Sequence, residues 1–557
     1  MIDKKNHRPA FALLPAAVAA ALCAFGAPAQ AACTDSGAAA TATSGSVCGA
    51  TGAIYANGVY ALASSGNNSV LTTVGAVSLN PGSNLTAGGR AVASADGGGG
   101  RLVFNGNVSL NQRGANNSYG LSAGNVTPGG FGTVEVNGDV NVVMAAQGST
   151  RRAIMSYLPG SLVTITGHTT ISMTGAGTHR GFSAEEGGII RYRSASIDFA
   201  GDSGATAGIR VIAQASEVHA SGDTEITVDS ADSVGVSTLG KAIFTGKLTV
   251  NAGGANAAAV NARGTGELAM GAASSLSNPT GNAVVLGSGT PTFTAGSGLV
   301  VSGGTNGFAY NGVTASTITL NNATVTAPNL WNATSSVATF NGAGGVYTGA
   351  STKDAASTLN VNLSAAALWS LTDDATLTAA TLTSGAVLSA PTASRTLTGQ
   401  LANTAGVLDL HGAAPGTTGQ VFTVSGDYSG GGTMRIDTQL GDDGSPTDAL
   451  TVTGAVSGVT TLQVTNVAGL GAETVGNGIP VVRVGGASPA GAFVLAGPGY
   501  VQAGTWRYTL VQVGRDWFLQ SQRALPPTAV PTLSGWALLA LSPLMLLIGR
   551  RRGARRA

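Results

Sequence analysis

Val136-Asn137-Gly138-Asp139-Val140-Asn141-Val142 is the clearest copy of a phrase that decides the fold. It reads apolar, polar, Gly, polar, β-branched, polar, apolar. It returns as Phe104-Asn105-Gly106-Asn107-Val108-Ser109-Leu110 and as Ile165-Thr166-Gly167-His168-Thr169-Thr170-Ile171. Looser copies stand at Ala220-Ser221-Gly222-Asp223-Thr224-Glu225-Ile226 and Phe244-Thr245-Gly246-Lys247-Leu248-Thr249-Val250. The glycines step by 32, 29, 55 and 24 residues, and the long step covers a degenerate copy around Arg191 to Phe199. Alternating side chains on both sides of a glycine, at such a period, describe stacked β-coils rather than a globule.

A second phrase keeps the same beat. One small residue precedes one apolar residue at Gly120-Leu121, Ala153-Ile154, Gly181-Phe182, Gly208-Ile209, Gly235-Val236, Ala259-Val260, Ala283-Val284 and Gly307-Phe308. The steps are 33, 28, 27, 27, 24, 24 and 24 residues. An isolated Asn-Gly between alternating segments reads as a hairpin turn. Two phrases locked to one period instead predict a parallel solenoid, each phrase forming one face of a coil.

Length and composition fit that reading. A chain of 557 residues exceeds what one compact core holds, whereas each coil of a solenoid touches only its neighbours. Its 84 glycines are about twice the usual share, and charged residues make up only 10%. Gly and Asn suit corners, while Val, Ile and Leu fill a narrow interior. The formal charge of +1 is set by the ends: without their eight basic residues and Asp3, 19 basic face 25 acidic residues. This mildly acidic body has no basic stripe for nucleic acid.

The N-terminus reads as a signal peptide over residues 1–31. Lys4, Lys5 and Arg8 precede an apolar run from Phe11 to Phe25, and cleavage falls between Ala31 and Ala32. Cys33 and Cys48 are then the only cysteines left, and in an exported chain they form a candidate disulfide stapling the N-terminal cap of the solenoid.

From Trp369-Ser370-Leu371 the texture changes. Leu397-Thr398-Gly399, Val407-Leu408-Asp409-Leu410 and Phe422-Thr423-Val424 lead to Tyr428-Ser429-Gly430-Gly431-Gly432-Thr433-Met434-Arg435-Ile436-Asp437. Ser445-Pro446-Thr447-Asp448-Ala449-Leu450, Gly478-Ile479-Pro480-Val481-Val482, Trp506-Arg507-Tyr508 and Asp516-Trp517-Phe518 follow. This run closely resembles the C-terminal part of pertactin-like autotransporter passengers, which caps their β-helix and helps it fold outside the cell. The resemblance implies an all-β, right-handed parallel β-helix.

The chain then departs from that family, which continues into a membrane β-barrel. Val530-Pro531-Thr532-Leu533-Ser534, with Trp536, opens an apolar run that ends on Arg550, Arg551, Arg552, Arg555 and Arg556. This tail resembles the IPTL-type C-terminal sorting signal of Gram-negative bacteria, with Val530 in place of Ile. The resemblance implies export, retention in the inner membrane and processing by a sorting enzyme. Residues 533–549 are just long enough for a transmembrane helix, and the arginines would stop transfer. The expected organisation is therefore signal peptide 1–31, β-helix body 32–340, autotransporter-type cap 341–525 and sorting tail 526–557.

Chemistry is sparse. His168, His179, His219 and His411 lack partners at triad or metal spacing, and the first and third fall at the repeat corner. Asp437, Asp442, Asp443 and Asp448 lack the terminal Glu of a calcium loop. Glu185-Glu186 and Asp373-Asp374 read as exposed corner charge; a β-helix lyase would need several acids and a base on neighbouring coils. No catalytic, metal or cofactor site is expected. The expected function is that of an exported, membrane-anchored or surface-sorted adhesin or envelope protein, the alternative being a polysaccharide lyase or hydrolase. Its expected partners are the secretion translocase, a sorting enzyme and surface ligands of host or matrix. Its final location would be the cell surface or the medium.

Overall fold

Val108, Val140, Thr169, Ala195, Thr224 and Leu248 stack one above the next in parallel register. They are the β-branched positions of the repeated phrase, and Ala195 marks the degenerate copy at Arg191 to Phe199 as a full rung. The computed structural model describes residues 34–35, 39–43, 45–51, 54–55, 61–80, 90–113, 118–125, 130–145, 150–200, 206–254, 256–411 and 416–524. All its regular elements are strands. Two compact units divide the chain, Met1–Gly271 and Ala272–Ala557.

The first unit winds through three parallel ladders. Its first ladder runs from Ala40–Ala42 through Leu62–Ser65, Arg90–Asp96, Ser118–Ala123, Thr150–Tyr157 and Thr178–Glu185 to Ala258–Gly264. Here the second phrase aligns: Leu121, Ile154, Phe182, Ile209, Val236 and Val260 lie on successive rungs, all fully buried. Each contributes roughly 1.5–3 kcal/mol of apolar burial. The residue before them must be small because opposing side chains occupy its space. A Cβ on Gly208 would meet Ile226 at 2.4 Å, and one on Gly235 would meet Val250 at 2.2 Å.

The second ladder holds Gly100–Phe104 and Gly132–Val136, and the third holds Val108–Arg113 and Val140–Ala145. Between them lies the glycine corner. Leu162–Thr174 and Ile189–Ala200 run through it as single strands, with a bulge between Ile165 and His168. The Asn-Gly steps do not make hairpins, for neither Gly106 nor Gly138 has positive φ. Glycine is required by proximity, because each corner sits directly on the one below. Asn and Asp complete the stack. Asn107 Oδ1 accepts from Asp139 N, Asp139 Oδ1 from His168 N and Asp223 Oδ1 from Lys247 N, at 2.8 to 2.9 Å.

The second unit is also a parallel β-solenoid. One of its ladders climbs from Asn282–Gly289 through Asn306–Asn311 to Ala449–Val452 and Ile479–Val484. Its interior carries an aromatic column. Trp331 lies 4.8 Å from Phe340 and 5.2 Å, edge to face, from Trp369, while Phe340 meets Tyr347 at 5.5 Å. These centroid distances suit offset and edge contacts. Burial drives the Tyr347 hydroxyl up to about 12.

At its end the parallel order is broken deliberately. Asp516–Arg523 pairs antiparallel with Ile479–Val484, then with Trp506–Val513, which pairs with Val501–Ala503. This meander covers a ladder edge that would otherwise offer unpaired backbone groups to another chain. Tyr508 pins it, its hydroxyl 2.8 Å from Gly441 O and 2.9 Å from Ala472 O.

Several expectations fall outside the described residues: the signal peptide, Ala31, Ala32, Cys33 and the tail from Val530 to Arg556. Cys48 is disulfide-bonded, to a cysteine outside them. Among the described residues no helix is long and apolar enough to cross a membrane.

Candidate functional site

Alternation sends Ser109, Asn141, Thr170 and Glu225 outward while Leu110, Val142 and Ile171 point in. Three open depressions lie along the glycine corner of the first unit, and these outward groups line two of them. The first, about 600 Å³, is walled by Ser78, Asn107, Ser109, Asp139, Asn141 and His168. A second of about 610 Å³ adds Arg193, Ser194, Asp223, Glu225 and Lys247 to the same His168. A third, about 440 Å³, lies across the corner against Arg191, Arg193, His219 and Ser221. His168 and Arg193 are shared, so the three depressions adjoin one another.

Backbone repetition spaces this surface. Equivalent side chains recur about every 4.8 Å, the distance between coils. Asn137 Nδ2 donates to Asn105 Oδ1 at 3.3 Å, and His168 Nδ1 lies 2.9 Å from Ser194 Oγ. Amide, hydroxyl, imidazole and carboxylate groups therefore alternate as donors and acceptors along the corner. Such a row is suited to a polar polymer lying across several coils; the one hydroxyl bonded to an imidazole among these contacts is that of Ser194, on His168.

The remaining candidate groups serve structure. Glu185 corrects the sequence expectation: it is 6% exposed rather than solvated. Burial pushes its carboxyl up, but Arg152, Ser183 and Arg180 all bond to it and together hold it below its ordinary value. Arg152 also lies over the Tyr119 ring at 5.1 Å. Glu186 turns the corner with φ of 50°. Asp374 Oδ1 accepts from Thr396 N at 2.8 Å, and Arg395 stands 4.0 Å from Asp373.

In the second unit the four aspartates do not converge. Asp437 is fully buried and lies 2.5 Å from His411 Nδ1, while Asp448 accepts from Asp437 N and Gln420 N at 2.9 Å. Burial raises the Asp448 carboxyl. Asp442 caps Gly444 N, and Asp443 takes up the N–H groups of Val475, Gly476 and Gly478, which lowers its carboxyl. Among the described residues no three His, Cys, Asp or Glu side chains are placed to hold a metal ion. Sequence reasoning missed His179, which is 1% exposed inside the first unit beside Arg151.

Comparison with known proteins places one segment. Residues 397–510 match the family described as Autochaperone Domain Type 1. The chain is 43% identical over 111 residues to "Probable autotransporter YfaL" of Escherichia coli K12, covering 19% of this chain and 9% of that one. It is 46% identical over 105 residues to "Uncharacterized protein YdeU" of the same strain, covering 18% and 22%. It is 41% identical over 118 residues to "Adhesin BmaC autotransporter" of Brucella suis, covering 19% and 3%. The crystal structure of the Haemophilus influenzae Hap adhesin aligns with a TM-score of 0.27 and 13% identity, over 85% of this chain and 63% of that one. The chain thus spans less than a quarter of the length of the curated relatives it matches. The autochaperone match falls within its second unit.

Proposed function

We propose that this protein is an exported, surface-displayed β-solenoid that acts as an adhesin. The autochaperone-like segment at residues 397–510 carries the reading, because in the autotransporter passengers it resembles such a segment helps the β-helix fold outside the cell. One relative is named an adhesin. The ligand we assign to the glycine corner is an extended polar polymer, a glycan chain in the first instance, held by hydrogen bonds repeated from coil to coil. The enzyme alternative takes second place: the corner carries Asp139, Asp223 and Glu225 beside His168, Arg193 and Lys247, and none of the relatives reported above is named an enzyme.

The rest of the proposal concerns delivery. A signal peptide ending at Ala31 hands the chain to the secretion translocase, and Cys33 closes a disulfide with Cys48. The coils wind right-handed, as βαβ-like parallel connections do. The segment 533–549 anchors a precursor in the inner membrane until a sorting enzyme acts at the motif Val530 to Trp536.

The test is adhesion of non-adherent cells displaying the chain to glycan-coated surfaces. Ser109→Arg with Asn141→Arg fills the first depression and leaves the core untouched. Loss of adhesion with unchanged melting supports the corner as the site. Full adhesion by this variant contradicts it.

A further inference from the structure

The interior of the first unit contains a polar column that the surface reading does not use. Ser118, Arg151 and His179 occupy equivalent positions on three successive coils and point inward, each 1% exposed. The guanidinium of Arg151 has no hydrogen-bond partner at any nitrogen, and neither His179 nitrogen nor the Ser118 hydroxyl is bonded. Gln112, 2% exposed, is likewise unpartnered at both amide atoms.

Among the described residues the opposing wall offers no counter-charge. Gln112, Met144, Met173 and Phe199 follow each other there in register, and Phe199 meets the His179 ring edge-on at 6.1 Å. On the outer face of the same strands, Glu185 is already shared by Arg152 and Arg180. Three arginines on these adjoining rungs therefore face one carboxylate among the described residues. An isolated buried cation is expensive, and core charges are normally paired.

Every unpartnered group in the column can donate: the five guanidinium N–H bonds, an imidazole N–H, a carboxamide NH₂ and a hydroxyl. A donor set with no acid beside a fixed positive charge recognises an anion. We propose that the first unit encloses a small inorganic monoanion, chloride or a chemical equivalent, bound to Arg151 and flanked by His179, Ser118 and Gln112. Its role is to neutralise the core charge so that these coils stack. Burial and the nearby guanidinium both disfavour a charged His179, leaving it a neutral single donor.

The experiment follows the melting of the full chain as chloride replaces gluconate, too bulky for a coil interior, at constant ionic strength. The wild type should gain a few degrees in chloride, and Arg151→Met, which removes the charge and keeps the volume, should show no gain. Crystals of the wild type soaked in bromide should give an anomalous peak within hydrogen-bond reach of Arg151. Equal responses of the two chains to chloride overturn the proposal. So does the absence of that peak, or an experimental map that shows a carboxylate of the chain itself on the guanidinium.

Discussion

A Cβ on Gly138 would stand 2.6 Å from the carbonyl carbon of Gly106, one coil below. This contact sets the pitch at the glycine corner. Gly138 has no positive φ, so backbone freedom is not what the position demands. Gly138→Ala should cost about 1–3 kcal/mol through overpacking. Gly49 provides the control, having nothing within 4 Å of its Cβ position and no positive φ. Gly49→Ala should lie within about 0.5 kcal/mol of the wild type. Denaturant melts of the two variants check both values.

The aromatic column predicts a ranking. Trp369 Nε1 donates to Gly349 O at 2.9 Å, whereas Trp331 Nε1 is buried without a partner. Trp369→Phe removes a buried hydrogen bond to the Gly349 carbonyl, and Trp331→Phe removes an unsatisfied donor. Both lose ring area, so the hydrogen bond decides the difference. Trp369→Phe should be the more destabilising by about 1–3 kcal/mol, read by thermal unfolding.

His179 predicts a pH dependence. Burial, and then Arg151, lower its imidazole from 6.5 to about 4. Between those values the unfolded chain binds a proton that the folded chain refuses, so stability rises with pH there and falls on acidification. The loss approaches about 3 kcal/mol and stops growing below the folded value. In chloride-free buffer His179→Leu should lack this slope when unfolding is followed across the window. A bound anion would flatten the wild-type slope.

Asp443 works in the same direction, at more acid pH. N–H groups donated by Val475, Gly478 and Gly476 hold its carboxyl below the ordinary carboxylate value. Its anchoring is present above the ordinary value and fades as pH falls through the lowered one. Asp443→Asn leaves a single carbonyl oxygen for three donors. That variant should make the segment from Val475 to Gly478 more sensitive to limited proteolysis at neutral pH.

Periodicity made the coils legible. The apolar member of each phrase had to recur on one rung, and Leu121 to Val260 do so without a slip. The cap was legible because large residues such as Tyr508 and Trp517 cluster in a fixed order after the coils. The interior charges were not legible. Arg151 and His179 occupy inward positions, yet a polar residue at one rung of a degenerate repeat looks like corner filler in the chain. Glu185 was misread for a related reason. Arg180 shares its strand, but Arg152 is 33 residues away in sequence, and only the stacking of coils brings it to the same carboxylate. The corner surface was half legible: the repeated Asn and Asp were evident, and their bonds from coil to coil were not.

Display on the cell surface is the central claim, and protease shaving of intact cells tests it most directly. The cleavage followed is that of the body between residues 100 and 250, in the whole chain and in one lacking 526–557. The account predicts that the whole chain is cut on intact cells, while the truncated chain is released or stays protected in the periplasm. A body protected on intact cells and cut only after the outer membrane is opened would contradict it.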